Sequence, residues 1–237
     1  LSGGRLDFGI GKGYRHSEFK GFGVPKDEAE DRFEEALDVI LRSWTSKERF
    51  TFHGRFWNFE DIVVEPATAQ EPYPAIWMGA GSETSIRKVA ERGFNLLLDQ
   101  YADAELTGAR IALFKTALEE QGRIFDPLNV AVARDLYIAT NESEKAEAID
   151  RLNDFRQRIL EVSRAPNQVG VSHILQYANS GTPSFENALI GTVGEIREKV
   201  AELHSAGVEY VIVSAVGGSR STLRRFADEV APYFAGS

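Results

Sequence analysis

The sequence predicts an α/β fold built on a parallel sheet. Three observations carry this. Apolar, strand-like runs alternate with segments of helical period about five times along the chain. The runs lack the polar alternation of a half-exposed strand, so their strands are expected to be buried on both faces. Glycines fall where helices should stop. Two architectures satisfy the pattern, an open doubly wound sheet and a (β/α)8 barrel. In both, ligands gather where strands end and helices begin.

The elements follow in order. Residues 6–10 form a short apolar run ending in a glycine-rich turn, the first strand. Asp27 and Glu30 have capping-box spacing, and Phe33, Leu37, Ile40, Leu41 and Trp44 recur at helical spacing, so a helix is expected over about 27–44. Residues 49–66 alternate aromatic and polar residues around Gly54, which reads as a hairpin. "AIWMGA" (75–80) is a strand, and Ser82 opens a helix that Gly93 should end. "FNLLLD" (94–99) is the next strand, followed by a helix at about 103–121. "NVAVARDLYIA" (129–139) is another, followed by a helix near 143–163. Residues 164–190 carry glycine and proline without a clear period. The last unit reads as helix 194–206, Gly207, strand 210–215 and helix 221–235.

Composition narrows the function classes. The chain has 237 residues, a net charge of −9 and no cysteine. An acidic chain does not offer the basic face that nucleic acid requires. Without cysteine there are no disulfides, thiolate nucleophiles or cysteine zinc sites. No apolar run reaches the roughly 18 residues of a membrane span, and no signal peptide is visible, so the expected location is cytoplasmic. His16, His53, His173 and His204 lack metal-ligand spacing, and no metal is expected.

Three strand ends carry candidate chemistry. After residues 6–10 comes "GIGKGYRHSEF", where Gly11 and Gly13 permit close backbone approach to a ligand and Lys12 adds positive charge. It lacks both the Walker A spacing and the dinucleotide fingerprint. After residues 75–80 comes "GAGSETS", in which Gly79, Ala80 and Gly81 lead into a helix whose start holds Ser82 and Ser85. A helix N-terminus with two hydroxyls can complete a phosphate site, while plain N-capping is the commoner use of such a serine. After the last strand, Gly217, Gly218 and Ser219 form a rival phosphate site, as a sugar-phosphate barrel enzyme would use. Arg134 inside an apolar strand needs either a partner, such as Asp135 or another carboxylate, or a polar cavity. Tyr14, Phe52, Trp57 and Tyr177 could line an apolar pocket, though aromatic residues are more often core.

Taken together, these stretches resemble a family. Residues 1–37, "LSGGRLDFGIGKGYRHSEFKGFGVPKDEAEDRFEEAL", resemble the region around the fourth strand of the bacterial luciferase-like flavin monooxygenases. "PYPAIWMGAGSETSIRKVAERGF" resembles their fifth strand and the helix after it, and "IGTVGEIREKVAELHSAGVEYVIV" their run into the eighth. The resemblance covers most of the chain and is weakest at 164–190. It implies a (β/α)8 barrel that binds FMN, or alternatively the deazaflavin F420, at its C-terminal mouth. It places Lys12, where luciferase has arginine, toward the flavin phosphate, with Gly11 and Gly13 against the flavin. Gly11 stands where luciferase has a cysteine near the flavin's reactive carbon. Arg32 falls at the second phosphate arginine, and Ser82 and Ser85 supply the two phosphate hydroxyls.

The resemblance also implies a reaction of reduced FMN and O2 with a small organic substrate, a separate flavin reductase as a partner, and a homodimer when full length. A non-catalytic flavin-binding protein is the alternative of another class. In the family about 100 further residues precede this point, the length of three βα units. The expectation is therefore a single domain over 1–237 that represents the later part of a longer barrel, without its first three βα units. Catalytic residues would lie in that earlier part, leaving these residues alone inactive. Residues 164–190, between the seventh and eighth strands, are expected to form an insertion or lid.

Overall fold

A computed structural model describes residues 2–163 and 185–235. Two compact units divide the chain, Leu1–Met78 and Gly79–Ser237.

In the first unit, β1 (Asp7–Ile10) pairs in parallel with β4 (Ala75–Gly79), Asp7 opposite Ala75 and Ile10 opposite Met78. Between them come α1 (His16–Gly21), α2 (Ala29–Thr45), and the antiparallel pair β2 (Phe50–His53) and β3 (Asn58–Ile62). The expected helix at 27–44 thus starts later. Pro25 leads into a 3-10 turn at Lys26–Glu28, so Asp27 lies inside that turn and cannot cap α2. The Glu30 carboxylate bonds Lys12 instead. The helical stripe behaves as read: Leu37 is buried, and Trp44 packs edge-on against Phe8 of β1, with ring centroids 4.9 Å apart. The hairpin is present at 50–62, and Glu35 of α2 holds its turn. Its carboxylate accepts the backbone N–H groups of Arg55, Phe56 and Trp57 at 2.8–2.9 Å. Burial raises the Glu35 pKa, but these three bonds and the charge of Arg55 outweigh it and hold the carboxyl below the usual range.

The second unit contains α3 (Glu83–Arg92), β5 (Asn95–Leu98), α4 (Ala104–Glu120), β6 (Val130–Ile138), α5 (Glu142–Ser163), β7 (Leu189–Gly191), α6 (Val193–Ser205), β8 (Tyr210–Ala215) and α7 (Arg220–Arg225). Gly93 ends α3 in the left-handed conformation, φ 70°, as its position predicts. The expected last helix at 221–235 is broken by a π-turn at Phe226–Val230, then resumes as α8 (Ala231–Phe234), with Pro232 in its first turn.

β6 is the hub of this unit. It pairs in parallel with β5 (Leu98 opposite Val132), with β8 (Ala133 opposite Ile212, Asp135 opposite Ser214) and with β7 (Ile138 opposite Gly191). Successive side chains on a strand point to opposite faces. Leu136 and Ile138 pack with Leu189, Ile196 and Val230, so this face is covered by α6 and the C-terminal helices. Tyr137 packs beside Ala148, Leu152, Ile190 and Val216, so α5 covers the other face. β6 is thus buried on both sides, as predicted. β8 is not: Tyr210 and Ile212 are 39% and 42% exposed. β7 is a strand that the sequence reading left inside the unassigned 164–190 stretch. The lid expected there falls mostly on 164–184, outside the described residues.

Arg134 sits on the same face of β6 as Leu136 and Ile138 and is 1% exposed. Its partners are not the carboxylates expected from sequence. Nη1 donates to the carbonyls of Asp99 (3.1 Å) and Ala133 (2.8 Å), and Nη2 to the carbonyl of Ala102 (2.9 Å) and to Thr107 Oγ1 (3.3 Å). Asp135, one residue on, points to the opposite face and cannot reach it. Burial pushes the Arg134 guanidinium down to about 10, while Asp99, Asp135 and Asp103 pull it back up, so it stays charged at neutral pH. No helix among the described residues is long and apolar enough to cross a membrane.

Two stability predictions follow from this packing. Arg134→Ala should destabilise the fold by at least ~3 kcal/mol, because it strands several buried acceptors. Urea unfolding checks this, and a loss below ~1 kcal/mol contradicts the assigned partners. The second concerns Glu195, whose carboxylate caps α6 and bonds Lys145 of α5. The Lys145 bond, then the Thr192 N–H, lower the Glu195 pKa from 4.5 to about 2. A depressed carboxylate pKa stabilises above its unfolded value, and the gain fades as pH falls through the folded value. The stability gap between wild type and Glu195→Gln should therefore hold from about pH 7 to 5 and close toward about pH 2. A gap independent of pH in urea titrations contradicts the ion pair.

Candidate functional site

The turn between β4 and α3 has the features expected of an anion site. Ala80 N–H bonds the carbonyl of Leu97, which fixes the turn on β5. Added methyl groups at Gly79 would meet nothing within 4 Å, so the turn is open on that side. Ser82 is the N-cap of α3, and it forms a reciprocal capping box with Ser85. Ser82 Oγ accepts from Ser85 N (3.3 Å), and Ser85 Oγ accepts from the N–H groups of Ser82 (3.1 Å) and Gly81 (3.3 Å). The two hydroxyl oxygens lie 2.9 Å apart. The capping role is therefore realised, and it sets both hydroxyls side by side at an exposed, partly positive helix end. Glu83, the one carboxylate in the first turn, is drawn back to Arg87 Nε at 3.2 Å. Two hydroxyls, a positive helix end and a diverted carboxylate suit a terminal phosphate.

The other predicted cofactor residues lie in the first unit. Gly11 is open, since a methyl group there would meet nothing within 4 Å, and Gly13 takes φ 79°, a backbone region that favours glycine. Lys12 is bonded to Glu30 on α2. Arg32 bonds Glu28 at 2.8 Å and stacks over the Phe56 ring, with 4.3 Å from Cζ to the centroid. Both basic residues thus have carboxylate partners. Tyr14, Phe52 and Trp57 also belong to the first unit, and Tyr177 lies outside the described residues.

The rival loop has a different setting. Gly217 and Gly218 take φ 70° and 71°, and Ser219 caps the six-residue α7. The two glycines line a cavity of about 460 Å³ at the C-terminal ends of β6 and β8, walled by α5. Asp135 and Ser214 line it from the strands, and Arg151, Phe155 and Arg158 from the helix.

Sequence reasoning missed the group that holds Asp135, which lines this cavity. Asp135 Oδ2 accepts from Arg156 Nη2 at 2.6 Å, and the Arg156 guanidinium lies over the Tyr101 ring, 4.8 Å from Cζ to the centroid. Tyr101 is placed by the 99–102 turn. Asp99 Oδ1 accepts the N–H groups of Tyr101 and Ala102, and its Oδ2 accepts from Arg110 at 3.0 Å. Arg134 binds two carbonyls of the same turn. The available signal was a pair of charged residues, Arg134 and Asp135, inside an apolar strand. Apart from the neighbouring Ala133 carbonyl, their partners lie 21 to 35 residues away in sequence, beyond any local spacing rule. Among the described residues no cluster of histidine and carboxylate side chains could hold a metal ion.

The comparisons with known proteins agree with this architecture. A curated relative, an FMNH2-dependent dimethylsulfone monooxygenase of Pseudomonas putida, is 26% identical over 232 residues, which cover 90% of this chain and 61% of the relative. The chain spans 48% and 61% of the lengths of two curated relatives that it matches. The crystal structure of monooxygenase RslO1 from Streptomyces bottropensis superimposes with a TM-score of 0.78 at 24% identity, covering 98% of this chain and 70% of that one. An F420-dependent secondary alcohol dehydrogenase superimposes with a TM-score of 0.67 at 15% identity, covering 95% of this chain and 66% of that one. The family model of luciferase-like monooxygenases matches residues 1–210. With its parallel β/α succession and a match over that length, the chain belongs to the luciferase-like monooxygenase family.

Proposed function

We propose that the protein is a flavin-dependent monooxygenase that uses reduced FMN and O2 on a small organic substrate. The observation that carries this is the start of α3, where Ser82 and Ser85 hold adjacent hydroxyls at an open, positive helix end. In this reading the two hydroxyls and the first N–H groups of α3 hold the FMN phosphate, and Gly79, Ala80 and Gly81 leave room for it. Gly11, Lys12, Gly13 and Arg32 belong to the proposal on the strength of the family resemblance. The Lys12–Glu30 pair is exposed, and exposed pairs are weak, ~0–1 kcal/mol, so Lys12 could exchange Glu30 for an anion. Bound and reduced, FMN would supply the electrons that oxygen chemistry on the substrate consumes. A separate reductase would supply the reduced flavin.

F420 is the second reading, favoured by the likeness to the F420-dependent alcohol dehydrogenase. The two separate on one assay. The FMN reading predicts O2 uptake that depends on reduced FMN and an organic substrate. Anaerobic reduction of a substrate by reduced F420, with no such O2 uptake, contradicts it.

The phosphate assignment has its own test. Aspartate caps a helix as well as serine does, so Ser82→Asp should leave the thermal midpoint unchanged. Its charge would repel phosphate, and bonds to a charged group are worth ~1.5–3 kcal/mol. FMN affinity should therefore fall about tenfold or more, while affinity for riboflavin, which lacks the phosphate, stays constant. Equal changes for the two flavins, or none, place the phosphate elsewhere.

A further inference from the structure

Lys199 is a partly buried lysine that lies outside both the phosphate turn and the cavity beside β8. It belongs to α6, which packs on the Leu136 and Ile138 side of β6. Its Nζ donates to the backbone carbonyls of Glu186 at 2.8 Å and Ala188 at 2.7 Å, and among the described residues it hydrogen-bonds nothing else. Burial, then the Lys145 charge, hold its pKa below the usual lysine range, against the pull of Glu195, Glu202 and Glu186. An ammonium placed there is costly, and the two carbonyls are what it gains.

Those carbonyls flank Asn187. The turn they belong to is closed by the Ala188 N–H on the Phe185 carbonyl at 2.9 Å, and the strand after it, β7, has only three residues. Lys199 therefore supplies much of what fixes the turn. Asn187 Nδ2 in turn donates to the carbonyl of Tyr101 at 2.8 Å. Arg134 takes the carbonyls of Asp99 and Ala102 on either side, so Asn187 holds the one that Arg134 leaves. The Tyr101 ring lies against the Arg156 guanidinium, 4.8 Å from Cζ to the centroid, and Arg156 bonds Asp135 at 2.6 Å. Asp135 lines the cavity, on the face of β6 opposite Leu136 and Ile138. A chain of direct contacts thus crosses the sheet from Lys199 to Asp135.

We infer that Lys199 is a positioning residue for the cavity. Acting through the 186–188 turn and Asn187, it sets where Tyr101 stands, and thereby Arg156 and Asp135. The role needs a head group with several donors, since an apolar side chain would leave both carbonyls without a partner. The inference goes beyond the flavin reading and does not depend on it.

Nuclear magnetic resonance of the purified full-length protein tests it without any ligand. The Arg156 Nε–H is buried, so its signal is protected from exchange, and Arg156→Lys assigns it by loss. The Tyr101 ring current shifts that signal upfield. Lys199→Met should move it downfield, although Lys199 does not touch Arg156. Lys199→Arg should restore it, and the adjoining cavity of about 60 Å³, lined in part by Lys199, Asn187 and Glu202, gives the larger head group room. Asn187→Ala, which leaves the two Lys199 bonds in place, should give the same downfield shift, and it carries the test if Lys199→Met does not fold. The Trp57 indole signal, from the first unit, should stay fixed throughout. An unmoved Arg156 signal in either folded variant, a shift that Lys199→Arg fails to reverse, or a Trp57 signal that moves with it overturns the inference.

Discussion

A single buried charge organises the second unit. Arg134 interrupts an apolar strand, and burying a guanidinium is tolerable only where its donors are satisfied. The fold meets that demand with backbone carbonyls of the 99–102 turn and the Thr107 hydroxyl. The turn is thereby fixed on the strand. Tyr101 then presents its ring to Arg156, and Arg156 bonds Asp135, the residue next to Arg134 on the opposite face of β6. Two neighbouring charges on one strand thus anchor both layers around it, Arg134 through the 99–102 turn and Thr107, and Asp135 through Arg156 of α5.

The start of α3 illustrates how one local device can serve two ends. The capping box satisfies the first N–H groups of the helix and stabilises its N-terminus. The same bonds bring two hydroxyls together and leave them exposed. A phosphate approaching that end would meet hydroxyls already aligned, so little ordering remains to be done on binding. Glu83 is the one feature of the turn that opposes an anion, and its pairing with Arg87 turns it away. Capping and ligand binding are therefore compatible readings of Ser82 and Ser85.

Local chemistry was legible in the sequence, and long-range chemistry was not. Gly93 announced the end of α3, Ser82 its start, and the apolar runs located β1, β4, β5, β6 and β8 within a residue or two. These are properties of a few adjacent residues. The late start of α2 was missed because Pro25 sets a 3-10 turn ahead of it. β7 has three residues, too few to show a period against the glycine and proline around it. The helix at 142–163 was read correctly as a helix, but its period cannot say which face of the sheet it covers. That depends on Tyr137 and Leu152 meeting across the fold. The role of Glu35 at the hairpin turn is equally hidden, since its partners lie 20 to 22 residues on. For the candidate site, the residues at strand ends were found from spacing and resemblance, whereas Asp135 and Arg156 required the structure.

The most direct measurement is a crystal structure of the full-length protein with FMN bound. The account predicts the terminal phosphate at the start of α3, with its oxygens about 2.7–3.0 Å from Ser82 Oγ and Ser85 Oγ. A phosphate seated instead on Gly217, Gly218 and Ser219, or one with no contact to either serine, would contradict it.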